Sequence, residues 1–477
     1  MSVKKNFAFN AILSVSQIIF PIITFPYVTR VLLPNGLGTI TFIDSFVQYL
    51  VVASALGIPM YGVREIARIK NDKEKLSKTY SELIIIHTVL STLFSIVFWI
   101  LAQMIPKLTV EYELCMIGIG IIISNVFLIN WFFAGMEKFA FISTISIIIR
   151  VLTITCIFIF IKTPEDRILY YSFNLIGNVI TGIICMIFAH KSTSFTFKDL
   201  NFTQHLRSLI LLFSLTVITS VYVLLDSVIL GFMKNNTEVG YYGTAMKLSK
   251  IPIALLSALT SVLLPKLSSL EFGDEFRNLL NKSMSFSFII SIPIAFGLFV
   301  LSKEFILIFA GELYLPALDA FRVLSFIIIP IGFALVNYQI LLPYNREKYM
   351  MSCSIIGVVC SLLLNFLLIP YIGNVGSAIS SLSTEVLVSV VLFVLSYKLC
   401  KIRIPYKMIS YSVLTCSSFF GVKYLIYLFS SNQYVVVVIT GIICTLFYFI
   451  IMGFVFKIQL INDFCKTIFA KINLKIH

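Results

Sequence analysis

Nine charged side chains lie within the first twelve long apolar stretches of this sequence, where binding chemistry could depend on them. Five are cations: Arg30, Arg150, Lys247, Lys250 and Arg322. Four are acids: Asp44, Asp226, Asp319 and Glu385. Where the dielectric constant is low, a guanidinium or ammonium group is a natural partner for phosphate, and a carboxylate can titrate or hold a cation. The set predicts a cavity that binds an anionic group, with acids able to couple binding to an H+ or Na+ gradient.

The spacing of these residues predicts acid and base pairs. At 1.5 Å per helical residue, Arg30 and Asp44 lie about 9 to 12 Å from a turn near Gly36. Asp226 and Lys247 lie roughly 15 Å from a turn at about residue 236. A buried pair that only fixes helix packing explains each match equally simply, so both explanations stay open.

The remaining charges differ in what surrounds them. Lys247 and Lys250 share one helix face at a spacing of three residues, as do Asp319 and Arg322. Arg150 falls near the middle of the fifth stretch, and Glu385 near the middle of the twelfth. We expect Arg150, Lys250 and Arg322 to line the cavity, and Lys423, near the end of a later stretch, to extend its ammonium toward water.

Other chemistry finds little support in the sequence. The nine cysteines are scattered without a Cys-x-x-Cys pair, and no glycine-rich phosphate loop is present. Disulfide, zinc and nucleotide sites are therefore not expected. We predict no catalytic residue, no metal and no cofactor.

The elements that must position these charges are membrane helices. The 477 residues are 59% hydrophobic and 12% charged, with a mean hydropathy of +1.00. Soluble domains contain about 25% charged residues. Because a bilayer crossing needs roughly 20 apolar residues, the sequence divides into about fourteen transmembrane helices. It predicts an all-α polytopic membrane protein whose first helix, 7–33, is not a cleaved signal peptide.

The longer polar loops divide these helices into lobes. The predicted parts are an N-terminal lobe of six helices at 1–190, an inter-lobe loop at 191–205, a C-terminal lobe of six helices at 206–398, and two further helices with a tail at 399–477. A short internal repeat supports two related lobes, because Leu37-Gly38 begins the second helix and Val239-Gly240 begins the eighth. Parallel repeats of this kind occur in transporters.

The distribution of lysine and arginine predicts the orientation. Alternate loops carry 25 and 5 of these cations. The richer set faces the cytoplasm in polytopic proteins, so both termini and the inter-lobe loop are predicted to be cytoplasmic. This asymmetry also accounts for most of the net charge of +14 without any nucleic acid.

Several motifs resemble those of polysaccharide-biosynthesis flippases, which belong to the multidrug, oligosaccharidyl-lipid and polysaccharide exporter superfamily. The first hairpin carries Phe-Pro-Tyr-Val-Thr-Arg-Val-Leu at 25–32 and Pro-Asn-Gly-Leu-Gly at 34–38, and Gly-Val-Arg-Glu-Ile-Ala follows at 62–67. The segment from Asp226 to Lys247 is similar to the seventh and eighth helices of that family. Leu33 stands where the family pattern leads us to expect glycine.

The resemblance implies two six-helix bundles around a central cavity, with two additional helices at the C-terminus. It implies a flippase, not an enzyme, in the bacterial plasma membrane. The implied cargo is an undecaprenyl-pyrophosphate-linked oligosaccharide for O-antigen, capsule or exopolysaccharide assembly. The cavity cations would contact its pyrophosphate and sugars while its tail stays in membrane lipid. Contact with the polysaccharide assembly machinery is a further expectation.

Three alternatives remain open. A cation-coupled drug antiporter of the same superfamily shares the helix count, but its cavity should favour acids and aromatic residues. A flippase of the peptidoglycan precursor lipid II is a near relative. A membrane glycan polymerase or ligase would need a large outer loop with catalytic side chains, whereas the longest predicted outer loop has about ten residues.

Overall fold

The computed structural model describes residues 3–253, 256–257, 267, 270, 273–341 and 347–458. Most of the second half of the predicted eighth helix, 239–266, lies outside these residues. So do Lys266, Arg346 and the predicted tail after residue 458, which contributed to the orientation count. Every regular element in the described residues is helical. The prediction of an all-α polytopic membrane protein is confirmed.

Residues 1–240 form one compact unit, and residues 241–477 form another. The α-helices up to the unit boundary are α1 (Val3–Ala55), α2 (Ile58–Ile69), α3 (Lys73–Met104), α4 (Pro106–Thr109), α5 (Tyr112–Asn125), α6 (Asn130–Gly135), α7 (Phe139–Phe160), α8 (Arg167–His190), α9 (Thr203–Met233) and α10 (Asn236–Lys250), the last of which crosses the boundary. A short 3-10 helix at Pro164–Asp166 precedes α8.

The second unit continues with helices of similar length. They are α11 (Asp274–Val300), α12 (Ser302–Phe309), α13 (Leu318–Leu324), α14 (Ile328–Leu341), α15 (Glu347–Cys400), α16 (Tyr406–Ser417), α17 (Phe419–Phe429) and α18 (Gln433–Ile450). Two 3-10 helices, Glu312–Ala317 and Ser325–Ile327, flank α13, and a π-helix at Ile451–Val455 ends the last span.

Ten described helical segments are long and apolar enough to cross a membrane. Two of them must cross twice, because a 53-residue helix such as α1 would be about 80 Å long, against a hydrocarbon core of about 30 Å. The helix α1 is broken at Leu33, and α15 at Ile372 and Gly373. The ten segments become twelve when these two long helices are each counted as two spans. Adding α9 and α10 gives approximately the predicted number of fourteen.

The kink in α1 falls on Leu33, at φ 60° and ψ 169°. Side chains other than glycine rarely adopt this backbone conformation, which costs of order 1–3 kcal/mol. This is the position at which the family pattern led us to expect glycine. The departure from the pattern therefore stores strain at the turn of the first hairpin.

The two units differ from the predicted lobes in one respect. Helix α9, assigned above to the C-terminal lobe, belongs to the first compact unit because it packs along α1. The predicted boundaries, including the loop at 191–205, stay a prediction. In the second unit, α16 and α18 pack on α11, and the Tyr448 hydroxyl donates to the Ile289 carbonyl at 3.1 Å.

Candidate functional site

Asp44 is held between two helices of the first unit. The hydroxyl of Tyr171, on α8, donates to its Oδ1 at 3.0 Å, and Gln48 Nε2 donates to the same oxygen at 3.3 Å. Tyr171 is buried, whereas Asp44 is half-buried. The carboxylate therefore links the second half of α1 to α8 and has a fixed position within the unit.

Arg30 and Asp226 also lie in the first unit. The Arg30 guanidinium is exposed and donates from Nη1 to the carbonyl of Pro26, one turn earlier on α1, at 2.7 Å. Asp226 is buried on α9 and interacts electrostatically with Tyr49 of α1. The pairing of Arg30 with Asp44 stays a prediction. Asp226 and its expected partner Lys247 belong to different units, so that pairing stays a prediction as well.

Arg150 is the unusual cation of the first unit. It lies within α7 and is half-buried. Among the residues that the structure describes, no hydrogen-bond acceptor or carboxylate contacts its guanidinium. A charge inside a membrane span is costly unless a partner or a wet cavity receives it. That Arg150 lines a binding cavity stays a prediction.

The second unit contains the other five predicted residues. Lys247 and Lys250 are both exposed on α10, and their role in a cavity stays a prediction. On α13, Arg322 Nη1 lies 3.1 Å from Asp319 Oδ1, and both side chains are substantially exposed. Arg322 Nε also donates to the Ser302 hydroxyl at 3.4 Å. Glu385 is half-buried on α15, where it interacts electrostatically with Tyr338 of α14.

The repeated glycines of the two predicted lobes, Gly38 and Gly240, lie next to each other. A Cβ atom added to Gly38 would lie 1.7 Å from the Asn236 carbonyl oxygen, and one added to Gly240 would lie 2.0 Å from the Pro34 carbonyl oxygen. Asn236 Nδ2 donates to Thr39 Oγ1 at 2.8 Å. We call Pro34, Gly38, Asn236 and Gly240 the glycine crossing. Only glycine allows the backbones of α1 and α10 to approach this closely.

The helix next to this crossing is packed just as tightly. A Cβ atom on Gly231 would lie 2.1 Å from the Phe42 ring. The ring of Phe232 contacts that of Phe42 edge-on at 5.4 Å between centroids. The Lys107 ammonium donates to the Gly231 carbonyl and lies 5.1 Å from the centre of the Phe42 ring. These contacts seal α9 against α1 at the end where each helix approaches its turn.

Two buried networks were missed in the sequence. Lys423 does not extend to water as predicted, because its ammonium contacts Glu304 Oε2 at 2.8 Å and the Val300 carbonyl at 2.6 Å. In the first unit, His205 lies between Glu82 and Tyr61, at 2.7 and 2.6 Å. Each network joins residues more than a hundred positions apart, so spacing along the sequence could not reveal the partners. The available signal was an acid at the edge of an apolar stretch, Glu82 in one network and Glu304 in the other.

The chain is similar in sequence to known proteins. The family described as "Polysaccharide biosynthesis protein" matches residues 3–271. A putative O-antigen transporter of Escherichia coli (strain K12) is 25% identical over 409 residues, covering 84% of this chain and 98% of that protein. A putative O-antigen transporter of Shigella dysenteriae is 27% identical over 398 residues, covering 82% and 99%.

A solved structure gives a similar fold. The lipid II flippase MurJ in an inward closed conformation superimposes with a TM-score of 0.69 at 16% sequence identity. The match covers 89% of this chain and 97% of that structure. At this identity the likeness concerns the fold alone.

Proposed function

This chain belongs to the polysaccharide biosynthesis protein family, and from that membership we propose that it is a flippase for lipid-linked oligosaccharides. The two O-antigen transporter relatives support this function, because they match this chain along nearly their whole length. The all-helical membrane fold supports a role within the bilayer. The protein moves its cargo without making or breaking a covalent bond.

The cargo is a polyprenyl-pyrophosphate carrying one oligosaccharide repeat unit, and in a bacterial host the polyprenyl chain is undecaprenyl. The observation that carries this assignment to individual residues is the half-buried guanidinium of Arg150, which has no polar partner in the described part of the chain. A guanidinium binds phosphate oxygens in a bidentate manner, and such charge-assisted bonds are the strong ones. Lys247, Lys250, Arg30 and Arg322 supply further cations, and the polyprenyl tail remains in lipid.

Movement follows an alternating-access cycle in the bacterial plasma membrane, with both termini in the cytoplasm. Under that orientation, the turns around residues 34–38 and 234–240 face outward, and the glycine crossing closes the outer side. Opening outward requires α1 and α10 to separate there. Asp44, Asp226, Asp319 and Glu385 are the groups that could bind H+ or Na+ and bias this equilibrium. Delivery to the polysaccharide assembly machinery follows on the outer side.

The fold also supports a second cargo. The likeness to MurJ favours lipid II, the substrate printed in that structure's title, as the alternative. Both cargoes present a pyrophosphate to the cavity cations, so these cations alone do not separate them. The family membership and the O-antigen transporter relatives favour the repeat unit of a surface polysaccharide.

A complementation experiment tests this function. The gene is deleted in its host, and wild type or the variants Arg150→Ala, Lys250→Ala and Arg322→Ala are restored at matched membrane levels. Arg68→Ala is the control, because Arg68 is a highly exposed cation that pairs with Glu65 one turn away. We expect the deletion to abolish surface glycan and to accumulate repeat units on the cytoplasmic side, and the cavity variants to restore less glycan than Arg68→Ala.

Three outcomes contradict the proposal. Unchanged surface glycan in the deletion strain would favour the drug antiporter. Repeat units that reach the outer leaflet but remain unpolymerised would favour a polymerase or ligase. Arrest of peptidoglycan synthesis instead of surface glycan would identify lipid II as the cargo.

A further inference from the structure

The segment between α8 and α9, residues 191–202, is fastened to the first turns of α3. The Thr193 hydroxyl donates to Ser77 Oγ at 3.1 Å, and the backbone N–H of Ser194 donates to the same oxygen at 3.2 Å. The backbone N–H of Thr196 donates to Ser81 Oγ at 2.9 Å. We call residues 191–202 the connecting segment. The connecting segment contains no helix or strand, but serine hydroxyls of α3 accept hydrogen bonds from its backbone N–H groups.

A buried carboxylate fixes the far end of this segment. Glu82 is fully buried, and its Oε1 accepts the backbone N–H of Asn201 at 2.6 Å. Its Oε2 contacts His205 Nε2 at 2.7 Å and accepts from Gln204 Nε2 at 3.1 Å. His205 contacts the Tyr61 hydroxyl through Nδ1 at 2.6 Å. The network joins α2, α3 and the first turn of α9, so the connecting segment has a defined position.

Two aromatic side chains of the connecting segment are exposed. Phe197 is 78% exposed, and Phe195 is 42% exposed. Their rings contact each other at 5.0 Å between centroids. A segment that binds so many of its polar groups internally but presents two phenylalanines outward carries an apolar surface that needs a cover.

Basic side chains lie close to the two rings along the chain. Lys191, Lys198 and Arg207 are exposed, whereas Asp199 is the exposed acid in this part of the chain. The Lys191 ammonium lies 4.7 Å from the ring centre of Phe188. Aromatic rings at the membrane surface next to Lys and Arg are typical of contact with a leaflet that contains anionic lipid.

The position of the connecting segment in the chain also favours membrane lipid as its partner. It follows α8 and precedes α9, and both helices carry exposed apolar residues close to it, Ile187 at 57% and Leu206 at 38%. Lipid covers such faces in a membrane-spanning helix. Phe195 and Phe197 lie along the chain between the ends of these two helices, which is where a membrane-spanning helix passes from hydrocarbon to head groups.

We propose that the connecting segment binds anionic phospholipid, with Phe195 and Phe197 inserted at the boundary between acyl chains and head groups and Lys191 and Lys198 on the head groups. This inference rests on the membrane-spanning fold and not on the identity of the cargo. Because the Glu82 and His205 network joins the segment to the first turn of α9, lipid binding sets the depth at which α9 enters the membrane.

The test uses the full-length protein in vesicles of phosphatidylglycerol and phosphatidylcholine. Phe197→Trp is introduced in a Trp99→Phe background, which retains only the buried Trp131 as a native tryptophan. The signal of the new tryptophan is its difference from that background. Asn71→Trp is the control, because Asn71 is exposed in the turn between α2 and α3. Phe195→Trp provides a second position for the same measurement.

We expect lipids brominated on the acyl chains to quench the Phe197→Trp variant about twofold more than the Asn71→Trp variant, with blue-shifted emission, because interfacial aromatics lie at the acyl boundary. Lys191→Gln with Lys198→Gln should reduce quenching in phosphatidylglycerol to the level seen in phosphatidylcholine alone. Quenching of the Phe195→Trp and Phe197→Trp variants no greater than that of Asn71→Trp would overturn the proposal, and so would equal quenching with and without anionic lipid. Shielding of the introduced indole in Phe197→Trp only in native membranes would identify a protein partner and overturn it as well.

Discussion

Replacing Gly38 with alanine tests the role of the glycine crossing. The added methyl group would lie 1.7 Å from the Asn236 carbonyl oxygen and 2.7 Å from the Gly240 backbone nitrogen. Real Cβ atoms essentially never approach a neighbour more closely than 3.0 Å, and the obstacles are backbone atoms that no rotamer change can move. The helices α1 and α10 must therefore separate by more than an ångström in this conformation.

The size of the effect follows from what a packed interior tolerates. Forcing an extra methyl group into a well-packed site costs typically 1–3 kcal/mol. If the crossing opens in the outward-facing state, that state does not bear the cost. The ratio of outward-facing to outward-closed protein should then rise by about 5- to 150-fold.

Labelling in intact cells measures this shift. Leu37 is 3% exposed beside the crossing, so Leu37→Cys should react slowly with a membrane-impermeant maleimide in an otherwise wild-type chain. Adding Gly38→Ala should accelerate labelling within the predicted range and slow glycan export. Gly421→Ala is the matched control, because a Cβ atom there meets no atom within 4 Å.

Labelling and export that are unchanged by Gly38→Ala would refute the reasoning. In that case the crossing does not open during transport, or the helices accommodate the methyl group without changing state. Equal effects of Gly38→Ala and Gly421→Ala would show that both act only through helix propensity.

Three further predictions concern other parts of the molecule. Leu33→Gly should raise the unfolding temperature, because relief of about 1–3 kcal/mol of backbone strain exceeds the 0.5–1 kcal/mol that glycine typically costs in a helix; an unchanged or lower temperature would show that Leu33 is not strained. Arg150→Gln should weaken binding of the lipid-linked oligosaccharide roughly 10- to 150-fold without lowering that temperature, because a hydrogen bond to a charged group contributes about 1.5–3 kcal/mol; a loss of thermal stability would instead assign Arg150 a packing role. Lys423→Met should destabilise the second unit by about 3–5 kcal/mol because it leaves a buried carboxylate without its cation, and adding Glu304→Leu should restore much of this stability; failure of the second substitution to do so would contradict that explanation.

The membrane fold was predictable because hydropathy and the length of a bilayer crossing constrain each helix independently. The family resemblance carried by the first hairpin is confirmed by the family match over residues 3–271. Leu33 shows what a sequence pattern can and cannot predict. The departure from glycine was visible in the sequence, and the structure adds the positive φ angle that makes it strained.

The candidate site was less predictable, because a helix that is apolar all round does not reveal which face meets which neighbour. Depth arithmetic places Asp44 level with Arg30, and that pairing stays a prediction. The structure adds Tyr171, on a distant helix, as a contact of Asp44, which depth arithmetic within one hairpin does not reveal. The paired dipeptides at Gly38 and Gly240 indicated related lobes. That the two glycines touch depends on helix rotation, which the sequence does not specify.

The central claim, that this protein moves lipid-linked oligosaccharide across a membrane, is most directly tested in proteoliposomes. The purified full-length chain is reconstituted with the polyprenyl-pyrophosphate repeat unit extracted from its host, and an impermeant glycosidase reports the fraction of sugar in the outer leaflet. After digestion of the exposed half, we expect protein-containing vesicles to expose the remaining units with time, and Arg150→Gln vesicles to do so more slowly. Remaining units that stay protected to the same extent as in protein-free vesicles would contradict the account.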